Sequence, residues 1–212
     1  MRKKFLIDFL SVLVLALLTI ALSSCKGNKE KVDKNELSVT IDANGKAIGE
    51  HRFTKIDNSN FYIDDIKYTA QNGDLVVSGY DEGFFKGDAK LITQLNYDGR
   101  EMKVLAIDKD AFRDCKVLTS IVIPSGVMSI GNNAFQNCIN MTSVSIPNSV
   151  KTIGDNAFFF CTNLVTVTIP NSVTSIGGGA FGACGRLTYL TISESVTSIG
   201  GSAFLYDHGT VL

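Results

Sequence analysis

Ala-Phe pairs stand at Ala111-Phe112, Ala134-Phe135, Ala157-Phe158, Ala180-Phe181 and Ala203-Phe204, and every step between them is 23 residues. Cys115, Cys138, Cys161 and Cys184 keep the same interval, as do the Ile-Gly pairs beginning at Ile130, Ile153, Ile176 and Ile199. Ile123-Pro124, Ile146-Pro147 and Ile169-Pro170 follow it too, with Ile192-Ser193 in the fourth place. No insertion breaks the phase. A strict period with apolar residues in fixed columns requires a stacked solenoid, because each unit meets only its neighbours.

The unit Leu118 to Asn140 shows what one coil contains. Leu118, Ile121 and Ile123 suit a strand that points alternate residues inward. Pro124, lacking an N–H, ends ladder pairing. Val127 and Ile130 suggest a second, shorter strand, and Gly131 bends the chain away. Asn132 is placed to cap one helical turn carrying Ala134, Phe135 and Cys138. A lone coil offers about eight inward apolar side chains at ~1.5–3 kcal/mol each. Ordering its backbone costs ~1–2 kcal/mol per residue, so it is unstable alone. Stacking at ~4.8 Å completes both the ladders and the burial.

The pattern "IPNSVTSIGGGAFGACGRLTYLTI" (169–192) resembles the BspA-like class of leucine-rich repeat, found on bacterial surface proteins. The resemblance covers residues 104–207. It implies a β-rich solenoid, a right-handed stack of 23-residue coils with a parallel sheet and short helical turns. It also implies binding or adhesion without catalysis.

Solenoid ends need caps. Asn72-Gly73 and Asp98-Gly99 each sit between β-rich arms and signal tight hairpins. Val104 and Ile107 precede Val127 and Ile130 by 23 residues, so the second hairpin hands into the first coil. The organisation expected is a β-hairpin capping region over 38–103 and a solenoid over 104–212; within the capping region residues 38–60 are ambiguous, and Leu37 to Asp42 is compatible with a strand. At the other end Asp207 takes the cysteine column. Either the tail folds across the last coil, or another molecule covers it in self-association, or the chain is a shortened member of a longer family.

Residues 1–24 read as a secretory signal. Arg2, Lys3 and Lys4 precede an apolar run from Phe9 to Leu22, shorter than the ~20 residues of a membrane-spanning helix. Small residues before Cys25 resemble the bacterial lipoprotein signal, in which the cysteine thiol carries the lipid; the alternative is an ordinary signal peptide with a coincidental cysteine. Residues 25–37 then form a solvated tether. The implied location is a bacterial membrane, the outer membrane or the cell surface, with the lipid as the only membrane contact.

The formal net charge is −1, so nothing draws the chain to nucleic acid. No Cys-x-x-Cys spacing exists for a metal, and His51 and His208 lie far apart in sequence. The serines have no nearby base, and a nucleophile without one is inert. The expectation is therefore neither an enzyme nor a cofactor carrier. The repeat cysteines fit buried thiols better than disulfides, because ladder side chains run parallel while a disulfide must close its Cβ atoms to ~3.8 Å.

Two outward columns carry the binding hypothesis. Ser120, Ser143, Thr166 and Tyr189 form one; Val122, Ser145, Thr168 and Thr191 form the next. Such a hydroxyl-rich, uncharged face either simply suits exposed strands or recognises a neutral surface protein or glycan. A second candidate is the apolar set Phe159, Phe160, Leu205 and Tyr206, in columns elsewhere polar or small. It forms a contact patch, unless one ring folds onto Gly182 and Ala183.

Overall fold

The computed structural model describes residues 38–41, 47–48 and 51–205, all within one compact unit. The expected signal segment 1–24, the expected lipidation site Cys25, the expected tether 25–37 and Tyr206 lie outside the described residues, as does the tail after it.

The amino-terminal region forms strands β1 (Ser38–Ile41), β2 (Ala47–Ile48), β3 (Phe53–Lys55), β4 (Asn60–Ile63), β5 (Ile66–Gln71), β6 (Asp74–Tyr80), β7 (Asp88–Lys90), β8 (Gln94–Tyr97) and β9 (Arg100–Ile107). Both expected hairpins are present. Asn72 and Gly73 turn β5 into β6 with φ of 53° and 91°, and Asp98 and Gly99 turn β8 into β9 with φ of 52° and 69°. Two positive φ values match the twist of the flanking strands. A third tight turn joins β4 to β5 through Asp64 and Asp65, φ 50° and 70°. Its Asp-Asp pair lacks the glycine that marks the other two, and sequence reading passed over it.

Four coils follow. Their main strands are β10 (Ser120–Val122), β12 (Ser143–Ser145), β14 (Thr166–Thr168) and β16 (Tyr189–Thr191); their minor strands are β11 (Ser129–Ile130), β13 (Thr152–Ile153), β15 (Ser175–Ile176) and β17 (Ser198–Ile199). The main strands stack in parallel in the order β16-β14-β12-β10-β7, and the minor strands continue through β9 into the cap strands. Ala106 and Ile107 pair with Ser129 and Ile130, the handover expected from the 23-residue spacing. β7 also joins the main sheet: Asp88 pairs with Ser120, so main-strand stacking starts inside the region expected to be cap.

The segment expected as a helical turn is not helical. It is a run of i→i+3 turns, with Arg113 N–H donating to Asp110 O at 3.1 Å and Cys115 N–H to Phe112 O at 3.1 Å. The N–H groups between them reach the next coil, Phe112 to Ala134 O at 2.7 Å and Asp114 to Gln136 O at 2.8 Å. Asp110, Asp114, Asn133 and Asn137 have φ between 55° and 60°. These left-handed residues rotate alternate peptide groups outward, whereas a helix would use each N–H within its own chain. Asn132 accordingly caps no helix: its Oδ1 accepts from Asp155 N–H, one coil on, at 2.9 Å.

Tyr80, Phe112, Phe135, Phe158, Phe181 and Phe204 form one continuous stack, with ring centroids 5.0–5.8 Å apart and planes within 13°. Such pairs contribute ~0.5–1.5 kcal/mol each beyond their burial. The Ile-Gly glycines are required by contact rather than bending. A Cβ on Gly177 would lie 2.4 Å from Asp155 N, and one on Gly200 2.3 Å from Gly178 N.

Candidate ligand groove on the main sheet

The residues of the two outward columns lie side by side, as β-strand alternation requires. Ser143, Ser145, Thr166, Thr168 and Thr191 are exposed, Val122 and Tyr189 are 43% and 66% exposed, and Ser120 is partly buried. Ser120 and Thr119 donate their hydroxyls to the Asp88 carboxylate. Those bonds hold that carboxyl below the ordinary carboxylate range.

The sheet is not uniform. Three residue pairs join β10 to β12 and β14 to β16, but β12 meets β14 only at Ser143↔Thr166. Beyond that pair the ladder is not registered, and a groove of about 490 Å³ lies there, reaching Thr191 and Ser193 of the next coil. Its apolar lining is the partly buried Val144 and Ile146 with the buried Ile169 and Pro170; Ser145, Thr166, Thr168, Thr191 and Ser193 supply hydroxyls. Asn148 and Asn171 add amides, and no charged side chain lines it. Val144 is only partly buried, while its column mates Ile121, Val167 and Leu190 are buried. The strand alternation also leaves main-chain groups of Val144 and Thr168 facing the gap, outside the registered ladder.

One residue explains why the gap falls here. Thr142 and Thr188 each send a hydroxyl to the preceding coil's carbonyl, Thr119 O and Val165 O, at 3.3 and 3.4 Å. Val165 occupies the same column and has no hydroxyl to send to Thr142. Its N–H reaches Thr142 O at 3.4 Å, against 2.9 Å for the matching Thr142 to Thr119 bond. Sequence reading found the hydroxyl columns and missed the groove floor; the signal was the valine among threonines.

Phe159 and Phe160 form a tilted ring pair with centroids 6.3 Å apart. Phe159 is partly buried, and its Cδ2 lies 3.1 Å from where a Cβ on Gly182 would stand. Phe160 is 46% exposed at φ 60°. Leu205 is 47% exposed, in Phe159's column two coils on. So the Phe159 ring leans onto Gly182 while keeping its contact with the exposed Phe160. The four repeat cysteines are free thiols. Cys138, Cys161 and Cys184 donate to the carbonyls of Phe112, Phe135 and Phe158 at 3.0–3.2 Å. Burial pushes the Cys138 and Cys161 thiols up, which holds them neutral and unreactive.

Parallel ladders of constant-length coils, an aromatic spine and an open outward sheet define a leucine-rich-repeat solenoid. The chain belongs to the family of the BspA type leucine rich repeat region, which matches residues 84–210 in six copies. A leucine-rich repeat protein from Bacteroides ovatus is 38% identical, with a TM-score of 0.63 over 68% of this chain and 38% of that one. The T. pallidum leucine rich repeat protein is 27% identical, with a TM-score of 0.63 over 69% of this chain and 67% of that one. A leucine rich cell surface protein from Faecalibacterium prausnitzii is 25% identical, with a TM-score of 0.50, over 73% and 54%. No curated protein is matched.

Proposed function

We propose that this protein works at a bacterial cell surface as an adhesin-like binder, and that the groove between β12 and β14 takes a neutral glycan. The observation that carries this is the groove's lining: an apolar floor ringed by hydroxyls and amides with no charge. A charged ligand entering it would lose hydration without gaining a counter-charge. A saccharide sets its C–H face on the floor and its hydroxyls on the rim. Tyr189, exposed and in register with Thr166, adds a ring for stacking. Affinity then comes from several weak contacts on a rigid frame. The cell-surface location is supported by the Faecalibacterium relative and by the lipoprotein-like Cys25, which would supply the anchor.

The test is the full chain on an array of neutral glycans. Saturable binding is expected, with Thr168→Lys weakening it at least tenfold and Thr197→Lys, away from the groove, leaving it unchanged. Absence of any bound glycan, or equal binding by both variants, overturns the reading.

A second reading, assembly with copies of itself, is favoured by Phe160. An aromatic side chain held at φ 60° and half exposed incurs both backbone strain and wet apolar surface.

A further inference from the structure

Resting on the glycan reading above, we propose that the groove selects one geometry of saccharide: a straight, β-1,4-linked chain of neutral sugars lying along the stack, one sugar to each of three coils. The lining comes from three successive coils. Ser145 and Asn148 belong to the coil of β12, Thr168 and Asn171 to that of β14, and Thr191 to that of β16. The groove therefore runs across the strands, not along them. Ser145, Thr168 and Thr191 are 23 residues apart, occupy one outward column and are all exposed.

The spacing of that column decides what fits. In the same three coils the stacked rings of Phe158, Phe181 and Phe204 are 5.0 and 5.7 Å apart, and neighbouring strands stand ~4.8 Å apart. One hydroxyl thus recurs at each coil step. A β-1,4-linked chain of glucose-type sugars is straight, because both bonds that link each ring to its neighbours are equatorial, and it advances by about one such step per sugar. An α-1,4 linkage makes one of those bonds axial, so the chain curls away from a straight groove. An extended peptide advances ~3.3 Å per residue and returns to one face only at every second residue, out of step with the coils. Equatorial hydroxyls also ring the edge of such a sugar and leave its flat faces as C–H. The groove offers the complement, hydroxyls and amides with an apolar lining and no charge.

The columns bound the length of the ligand. One coil before Ser145 the hydroxyl column holds Val122, which has nothing to bond a sugar, and after Asn171 the amide column holds Glu194, which does not line the groove. Three sugars therefore fill the site, the third beside Tyr189, which is 66% exposed.

The experiment titrates the full chain by calorimetry with cello-oligosaccharides of one to six glucose units, and with malto-oligosaccharides as the same sugar in the other linkage. Affinity is expected to rise at least tenfold from cellobiose to cellotriose and then to level off, with maltotriose at least tenfold weaker than cellotriose. Thr191→Val removes only the third coil's hydroxyl. It is expected to weaken cellotriose about fivefold and to leave cellobiose unchanged, since Ser145 and Thr168 still serve two sugars. Equal binding of the two linkages, affinity that keeps climbing beyond three units, or equal loss for both ligands in Thr191→Val overturns the proposal. The linkage comparison uses the parent chain, so it decides the matter even where the variant fails to fold. If the array yields another neutral glycan and no cello-oligosaccharide binds, this inference falls and the glycan reading stands; if the array yields none, both fall.

Discussion

At the scale of single residues, the 23-residue repeat sets a chemical task for each column, and the columns differ in how well each copy performs it. Ser149 and Ser195 donate their hydroxyls to Val127 O and Val173 O, at 2.7 and 3.0 Å. Ser172 stands in the same column, yet its buried Oγ has no partner among the described residues. A satisfied bond contributes ~0.5–1.5 kcal/mol, whereas a buried unsatisfied hydroxyl costs ~1–3 kcal/mol. Ser149→Ala is therefore expected to destabilise by about 1 kcal/mol, while Ser172→Ala is expected to be neutral or stabilising; urea denaturation of the two variants measures both. Equal losses would show that the hydroxyl column works in some other way. The aspartates and asparagines of the turn segment follow the same logic. They recur where φ is positive, which their short polar side chains tolerate.

At the scale of elements, the main strands were legible before the structure because Leu118, Ile121 and Ile123 alternate and recur. The turn segment was misread as helix. Ala134, Phe135 and Cys138 have spacing that suits one helical turn, and nothing local reveals that alternate N–H groups serve the neighbouring coil. The groove was hidden for a similar reason: it is a property of the junction between β12 and β14, not of either strand. Restoring the missing hydroxyl tests that account. Val165→Thr is expected to bring a donor to Thr142 O, extend the β12–β14 pairing and raise stability by ~0.5–1.5 kcal/mol. In a domain of this size each kcal/mol corresponds to about 2–4 °C in Tm. The same variant is expected to weaken any groove ligand. A higher Tm with unaltered ligand affinity would separate the groove from the ladder defect.

At the scale of the whole molecule, repeats that contact only their neighbours stack so that their interior is continuous. Tyr80 begins the aromatic stack from the capping region, so cap and solenoid share one core. Phe160 tests whether copies of the chain join. Phe160→Asn places an amide where Asp114 and Asn137 stand, linked by an Asn137 Nδ2 to Asp114 bond at 2.7 Å. It is expected to raise stability by ~1 kcal/mol, through relief of the left-handed strain. If self-association uses this ring, light scattering will show concentration-dependent growth for the parent chain and none for the variant; identical curves would remove the assembly reading. The sequence alone determined the coil length, the inward and outward columns, two of the hairpins and the uncharged outward columns of the four coils, because a strict period makes each column's burial readable from its chemistry. Only the tertiary structure decided that glycines serve close coil contact, that Phe159 leans onto Gly182, that the β12–β14 ladder keeps a single registered pair, and that β7 extends the main sheet. Each of those depends on distances between coils, and a one-dimensional pattern holds no record of how far apart two neighbours come to rest.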